Sequence, residues 1–320
     1  MPMVDLPLEQ LETFDPRIEE PDDFEEFWSE TMRLSDQQPL AIEIRPVDYP
    51  VKEVRVAKVY YDGFLDSRIC GWLIEPEGRE STPAIVKYHG YCGDKGGVFE
   101  HLVWALMGFT VLAIDFRGQR GESTDDGKYS TGAAAGYITR GILNREECYF
   151  RKAFIDAVRA VDVVLSRERV RRDRVVVNGP SQGGGTALAV AGLHQGVRAV
   201  VAEVPGLACW RRSCDLALEG PFVTELGAYL AAYPERIERV FQVLNYVDVY
   251  HLAKRIHCPA LVNVGLRDTL VPPSTAFAAY NQIRGAKEMR VHDFSGHEAW
   301  LHGGYMEYKL TWLKGILADS

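Results

Sequence analysis

Arg174-Val175-Val176-Val177-Asn178-Gly179-Pro180-Ser181-Gln182-Gly183-Gly184-Gly185-Thr186-Ala187-Leu188 is the stretch on which the reading of this chain turns. A β-branched run ends at Asn178, a G-x-S-x-G pentapeptide follows, and small residues with Leu188 open a helical pattern. A strand that turns this sharply into a helix strains the backbone of the serine between them, tolerates only small neighbours at Gly179 and Gly183, and lifts the serine hydroxyl clear of the sheet. The pentapeptide alone also fits an ordinary glycine-rich turn. Strand before and helix after single out a nucleophile elbow, with Ser181 as nucleophile.

Outward from the elbow, short apolar runs recur at Ala84–Tyr88, Thr110–Asp115, Ala199–Glu203, Ala260–Val264 and Met289–Asp293, with helical stretches such as Tyr149–Ser166 and Gly184–His194 among them. Continuous apolar strands alternating with helices predict a mostly parallel sheet covered on both faces. Ligands then bind at the carboxyl ends of the strands. Upstream, Val54–Tyr61 and Arg68–Glu75 flank an Asp62-Gly63 turn signal and predict an antiparallel hairpin. Residues 21–34 read as a helix with acidic residues in its first turn and Phe24, Phe27, Trp28 and Met32 at helical spacing, an aromatic stripe read as packing. About fifty residues between Val204 and Cys258 break the alternation and carry Trp210, Phe222, Tyr229, Tyr233, Phe241, Tyr246 and Tyr250. They read as a helical cap over the pocket, or alternatively as an oligomer contact or simple packing. The expectation is an α/β-hydrolase fold: one domain over residues 1–320, antiparallel strands at the start of the sheet, an N-terminal helical extension over about 1–40 and a cap over about 205–258.

A serine hydroxyl needs a base, and the base needs a carboxylate to orient it; in this fold they follow in the order serine, acid, histidine. His297 and His302 lie beyond the last predicted strand, Glu288–Asp293, and the Ser295-Gly296 turn would present His297 at the catalytic end. His292 falls within that strand. Asp268 follows Ala260–Val264 through Gly265-Leu266-Arg267 and is favoured as the acid over Asp248, in the cap, and Asp293, too near His297 in the chain. The backbone N–H of Gln182 supplies one oxyanion donor, and Lys87-Tyr88-His89-Gly90-Tyr91 has the His-Gly form of a second, with the Tyr91 N–H pointing inward. His89 is read as a brace for that turn rather than a base.

Bulk composition narrows the partners. With 36 Lys and Arg against 45 Asp and Glu, the formal charge is −9, which repels nucleic acid and anionic membranes and leaves small neutral substrates. No signal or transit peptide is visible near the start, and no run of about 18 apolar residues would span a bilayer. A cytoplasmic protein is expected. Cys70, Cys92, Cys148, Cys209, Cys214 and Cys258 form no C-x-x-C pair or zinc-ligand spacing and are expected to be buried free thiols. Neither a cofactor nor a metal is called for.

Three further segments carry a resemblance: Arg117-Gly118-Gln119, Gly179-Pro180-Ser181-Gln182-Gly183 and His297-Glu298. With Tyr137-Ile138-Thr139-Arg140-Gly141-Ile142-Leu143, Asp156-Ala157-Val158-Arg159-Ala160 and Asp268 before Pro272-Pro273-Ser274-Thr275, they make the chain resemble carbohydrate esterase family seven, the acetylxylan esterases and cephalosporin-C deacetylases, over nearly its whole length. The resemblance implies Ser181, Asp268 and His297 as catalytic triad, the N–H groups of Tyr91 and Gln182 as oxyanion hole, acetyl esters of short xylo-oligosaccharides and cephalosporin C as substrates, and a hexameric trimer of dimers. Arg117, Gly118, Gln119 and Glu298 are expected to organise loops near the site. Pro180, and Ala299-Trp300 after His297-Glu298, depart from the family's glycines, and Trp300 is placed to reshape the pocket. A peptidase or lactone hydrolase of the same fold, or a non-catalytic hydrolase-like binding protein, are the rival readings.

Overall fold

The β-branched runs assemble into one nine-stranded sheet in the computed structural model, which describes residues 5–65, 67–130 and 136–318. The strands are β1 (Glu43–Val47), β2 (Val54–Asp62), β3 (Arg68–Pro76), β4 (Thr82–Tyr88), β5 (Thr110–Ile114), β6 (Val170–Pro180), β7 (Val197–Glu203), β8 (Ala260–Gly265) and β9 (Lys287–His292), in spatial order β1-β2-β3-β5-β4-β6-β7-β8-β9. β1 to β3 pair antiparallel, β3 joins β5 antiparallel, and every later pairing is parallel. This is an α/β-hydrolase fold with antiparallel N-terminal strands.

Side chains alternate between the faces of a strand, so one apolar run feeds two cores. Val86 and Val177 pack on one face with Phe150, Phe154 and Ala157 of the helix Tyr149–Leu165 and with Ala187, Leu188 and Val190 of the helix Gln182–Leu193. Their neighbours Ile85 and Val176 pack on the other with Trp104 and with Tyr305 and Leu313 of the helix Gly303–Leu317. Burying one such side chain stabilises the fold by about 1.5–3 kcal/mol.

Sequence patterning missed β1. Glu-Ile-Arg-Pro-Val shows no buried alternation, because this strand lies at the sheet edge, where Pro46 need not donate to a neighbour. The N-terminal helix runs Phe24–Asp36, and its aromatics pack inward: Trp28 stacks on Phe154 with ring centres 6.4 Å apart and donates its Nε1–H to Tyr246 O at 2.9 Å. Between β7 and β8 the inserted segment is helical, with Trp210–Leu216, a π-helical turn Phe222–Gly227, Ala228–Ala232, Ile237–Asn245 and Val249–Ala253. All six cysteines are free thiols, but only Cys70, Cys148 and Cys209 are buried. Cys92 is exposed, contrary to expectation, because it sits in a surface turn with φ 56°. Among the described residues no helix is long and apolar enough to cross a membrane.

The inserted segment packs against the N-terminal helix around His251, whose ring meets Phe24 edge-on at 5.4 Å. Its Nε2–H donates to Asn245 Oδ1 at 2.7 Å, while Nδ1 faces Lys254 Nζ at 3.4 Å and Glu20 Oε2 at 3.6 Å. Burial, reinforced by the Lys254 charge, pulls the His251 pKa down to about 3. The unfolded chain binds a proton there near pH 6.5 and the folded chain does not, so this contribution to stability is lost as pH falls below about 6.5. Urea unfolding should show a loss on the order of 2 kcal/mol between pH 7.5 and 5 from this group alone. His251→Gln, which cannot titrate, should unfold with a correspondingly shallower pH dependence; an unchanged slope would refute the assignment.

Candidate active site

β6 runs directly into the helix Gln182–Leu193, and Ser181 occupies the corner with φ 59° and ψ −120°. A non-glycine residue at positive φ stores about 1–3 kcal/mol of strain, held here by surrounding bonds. Ser181 N–H donates to Glu203 O at 2.8 Å, and Ser181 O accepts from Gly185 and Gly206 N–H, both at 3.0 Å. Side chains at Gly179 or Gly183 would collide with the Tyr88 carbonyl oxygen of neighbouring β4, so both positions must lack a Cβ.

The loops after β8 and β9 bind each other: Leu266 N–H donates to His292 O at 3.0 Å and Arg267 N–H to Ser295 O at 2.9 Å. They bring together two side chains 29 positions apart, with His297 Nδ1 at 2.7 Å from Asp268 Oδ2. The other Asp268 oxygen accepts the N–H groups of Leu270 at 3.0 Å and Val271 at 2.9 Å, so the carboxylate is oriented from both sides. An Nδ1–H given to Asp268 leaves Nε2 as the basic nitrogen. His297 and Ser181 line one cavity of about 520 Å³.

The competing residues lie elsewhere. Asp248 caps the helix Val249–Ala253, accepting N–H groups from Tyr250, Cys209 and Trp210, and burial pushes its pKa up to about 6 despite these bonds. Asp293 and His302 are exposed, and His292 ends β9. Glu298 accepts the Gly296 N–H at 2.9 Å and so holds the turn in front of His297.

Tyr91 and Gln182 also line the cavity, and among the described residues the backbone N–H of neither donates to a protein acceptor. A Cβ on Gly90 would sit 3.7 Å from Ser181 Cβ, which places this loop beside Ser181. His89 uses both ring nitrogens, Nδ1 on Gly90 O at 2.7 Å and Nε2 accepting the Phe116 N–H at 2.9 Å, and burial lowers its pKa. It braces the loop as a neutral imidazole. Gln119 ties the two donor segments together: its Oε1 accepts the Cys92 N–H at 2.9 Å, and its Nε2 donates to Gln182 Oε1 and Tyr149 OH, each at 2.9 Å. Beneath it Arg117, fully buried, forms a bidentate pair with Asp156 at 2.6 and 2.7 Å and donates to Phe64 O at 2.8 Å. Burial is the largest single influence and lowers the Arg117 pKa, but the Asp156 charge, its hydrogen bonds and the Asp125 charge together outweigh it and raise the pKa.

Pro221 and Phe222 of the cap, Ile138, Leu270, Val271 and Trp300 line the cavity. Trp210 does not; it packs against Phe150 at 5.3 Å and Phe222 at 5.8 Å and faces a second cavity, because the Asp248 bonds turn the start of its helix away. Sequence reasoning also passed over Lys87, which lines the active-site cavity and whose pKa is pulled down to about 8 by burial and by the charge of Lys309. A lysine inside an apolar strand was the available signal. Among the described residues no group of three or more His, Cys, Asp or Glu is arranged to hold a metal ion.

The sequence matches the acetyl xylan esterase (AXE1) family over residues 1–315. The chain belongs to that family. Its backbone superposes on an acetyl xylan esterase from Paenibacillus sp. R4 with a TM-score of 0.93, at 39% identity, covering 97% of this chain and 99% of the other. Acetyl xylan esterase 1 from Thermoanaerobacterium sp. JW/SL YS485 gives the same TM-score at 35% identity, covering 98% and 100%. The acetyl esterase Axe7A of Xylanibacter ruminicola is 27% identical over 95% of this chain and 69% of its own, longer sequence. In this member of the acetyl xylan esterase family, replacing Arg117 by Met strands Asp156 as an unpaired buried charge, and the protein should lose about 3–5 kcal/mol of stability. The urea midpoint measures it; a loss below about 1 kcal/mol would mean that the pair does not hold the loops.

Proposed function

We propose that this chain is a serine esterase that removes acetyl groups from acetylated xylo-oligosaccharides and from cephalosporin C through an acyl-enzyme intermediate. The observation that carries the reading is the 2.7 Å bond between His297 Nδ1 and Asp268 Oδ2, which leaves Nε2 as base in the cavity lined by Ser181. Ser181 Oγ attacks the acetyl carbonyl carbon and passes its proton to His297 Nε2. The N–H groups of Tyr91 and Gln182, donating to no protein acceptor among the described residues, hold the oxyanion as charge develops on it. The bond to the alcohol oxygen breaks, and that oxygen takes the proton from His297. Water, deprotonated by the same histidine, attacks the acetyl-serine carbonyl; the bond to Ser181 Oγ breaks, Oγ takes the proton back from His297, and acetate leaves.

The apolar lining of Pro221, Phe222, Leu270 and Trp300 supports a small acyl group and a sugar or cephem face, and the family names support acetyl. The exposed apolar side chains Phe99, Val103, Leu106 and Met107 support assembly into an oligomer, a hexamer on the family resemblance.

Hydrolysis of p-nitrophenyl acetate tests the mechanism. Ser181→Ala should lower kcat by roughly 10⁴-fold or more, and Asp268→Asn by roughly 10³- to 10⁴-fold, the latter because the imidazole loses its tautomer. Comparable rates in Ser181→Ala and the unaltered protein would overturn the reading. Acetylated xylobiose and cephalosporin C should both be hydrolysed with higher kcat/KM than esters of longer acyl chains; the reverse order would reject the acetyl assignment.

A further inference from the structure

The loop that offers the Tyr91 N–H has an anchor that no motif explains. Tyr91 OH donates to Oε2 of Glu225, and the same hydroxyl accepts the N–H groups of Tyr137 at 2.7 Å and Ile138 at 3.1 Å. Glu225 Oε2 also accepts the Tyr137 N–H at 3.1 Å. Gly136 precedes this pair with φ 77°, and a side chain there would overlap the Glu225 carboxylate, so the carboxylate lies directly on the backbone. The Tyr91 ring meets Tyr137 edge-on at 5.7 Å. Burial, with the Glu225 hydrogen bond and charge adding to it, raises the Tyr91 pKa well above its usual value, so the phenol remains a donor at neutral pH.

Glu225 belongs to the cap. It sits in the π-helical turn Phe222–Gly227, and π-turns recur at functional sites because the extra residue re-aims the side chains around it. Pro221 and Phe222, at the start of the same turn, line the active-site cavity. One turn therefore touches the cavity at one end and grips the oxyanion-loop tyrosine from the other. A phenol held by three hydrogen bonds, one of them to a carboxylate and so roughly twice the strength of a neutral bond, restrains its own Cα and with it the direction of its N–H.

We propose that Glu225 is a positioning residue for ester cleavage: it holds Tyr91 from the cap so that the Tyr91 N–H meets the developing oxyanion, and it makes the rate depend on how the cap is seated. The inference rests on the serine-esterase reading above. A contact that served only to glue the cap would change stability and leave turnover alone. A donor aimed at the oxyanion acts in the transition state, so its misplacement lowers kcat and leaves KM in place.

Three variants test this: Glu225→Gln, which keeps size and removes the charge, Tyr91→Phe, which keeps the backbone donor and removes the hydroxyl, and the double variant. With p-nitrophenyl acetate, each single variant should lose roughly 10- to 100-fold in kcat with KM within about 3-fold, less than the loss of an entire oxyanion donor. The double variant should be within about 3-fold of the worse single one, since both break the same contact. A boronic acid that forms a tetrahedral adduct on Ser181 should lose affinity by the same factor as kcat. Unaltered kcat and boronate affinity in either single variant, or losses that multiply in the double, would overturn the inference. Should Glu225→Gln fail to fold, Tyr91→Phe decides by the same two measurements. Fluorophosphonate labelling separates the two levels: label on Ser181 in these variants and none in inactive Ser181→Ala keeps the serine reading, whereas an active Ser181→Ala removes both.

Discussion

The carbonyl oxygen of Tyr88 occupies the space that side chains at positions 179 and 183 would need. Because β4 and β6 are adjacent and parallel, this contact sets how closely the elbow approaches the strand beside it. Much of the site follows from that one approach. Ser181 is forced to positive φ, its carbonyl turns toward the N–H groups of Gly185 and Gly206, and the Gly90-Tyr91 loop that continues β4 arrives beside the serine. Backbone packing thus brings Ser181, the Gln182 N–H and the Gly90-Tyr91 loop to the same corner of the sheet.

Side chains then hold the loops that the sheet only delivers. Gln119 bonds to the Cys92 N–H on one side and the Gln182 amide on the other, and Arg117 beneath it donates through Nε and Nη2 to Asp156 and Phe64 O, while its Nη1 makes no hydrogen bond among the described residues and lies 3.8 Å from Asp125 Oδ1. Burying a guanidinium is costly, and the Asp156 carboxylate offsets that cost only because both of its oxygens are engaged at hydrogen-bond distance. Such a pair contributes little to net stability. Its consequence is specificity of position: the alternative arrangements leave an uncompensated charge.

Different parts of this molecule were legible to different depths. The elbow could be read because its constraint is local: five residues, a strand before and a helix after. Asp268 and His297 could be read because strand order and chain order place the loops after β8 and β9 at the same end of the sheet. β1 was missed because an edge strand has few obligations that shape its composition, and Glu43–Val47 carries charge and proline where a central strand would carry apolar alternation. Which of the aromatics between β7 and β8 line the cavity could not be read: Phe222 does and Trp210 does not, and the Trp210 backbone N–H is held by Asp248, 38 residues away.

The sequence by itself determined the fold class, the strand-turn-helix elbow at Ser181, and the loops on which Asp268 and His297 follow it, since each rests on local backbone requirements or on periodicity along the chain. Tertiary structure alone decided which cap residues face the cavity, that Gln119 joins two loops, and that Glu225 meets Tyr91 across 134 positions. Hydrogen bonds between distant segments leave no period and no fixed spacing in the chain. They become visible only when packing has brought a donor and an acceptor to the same place.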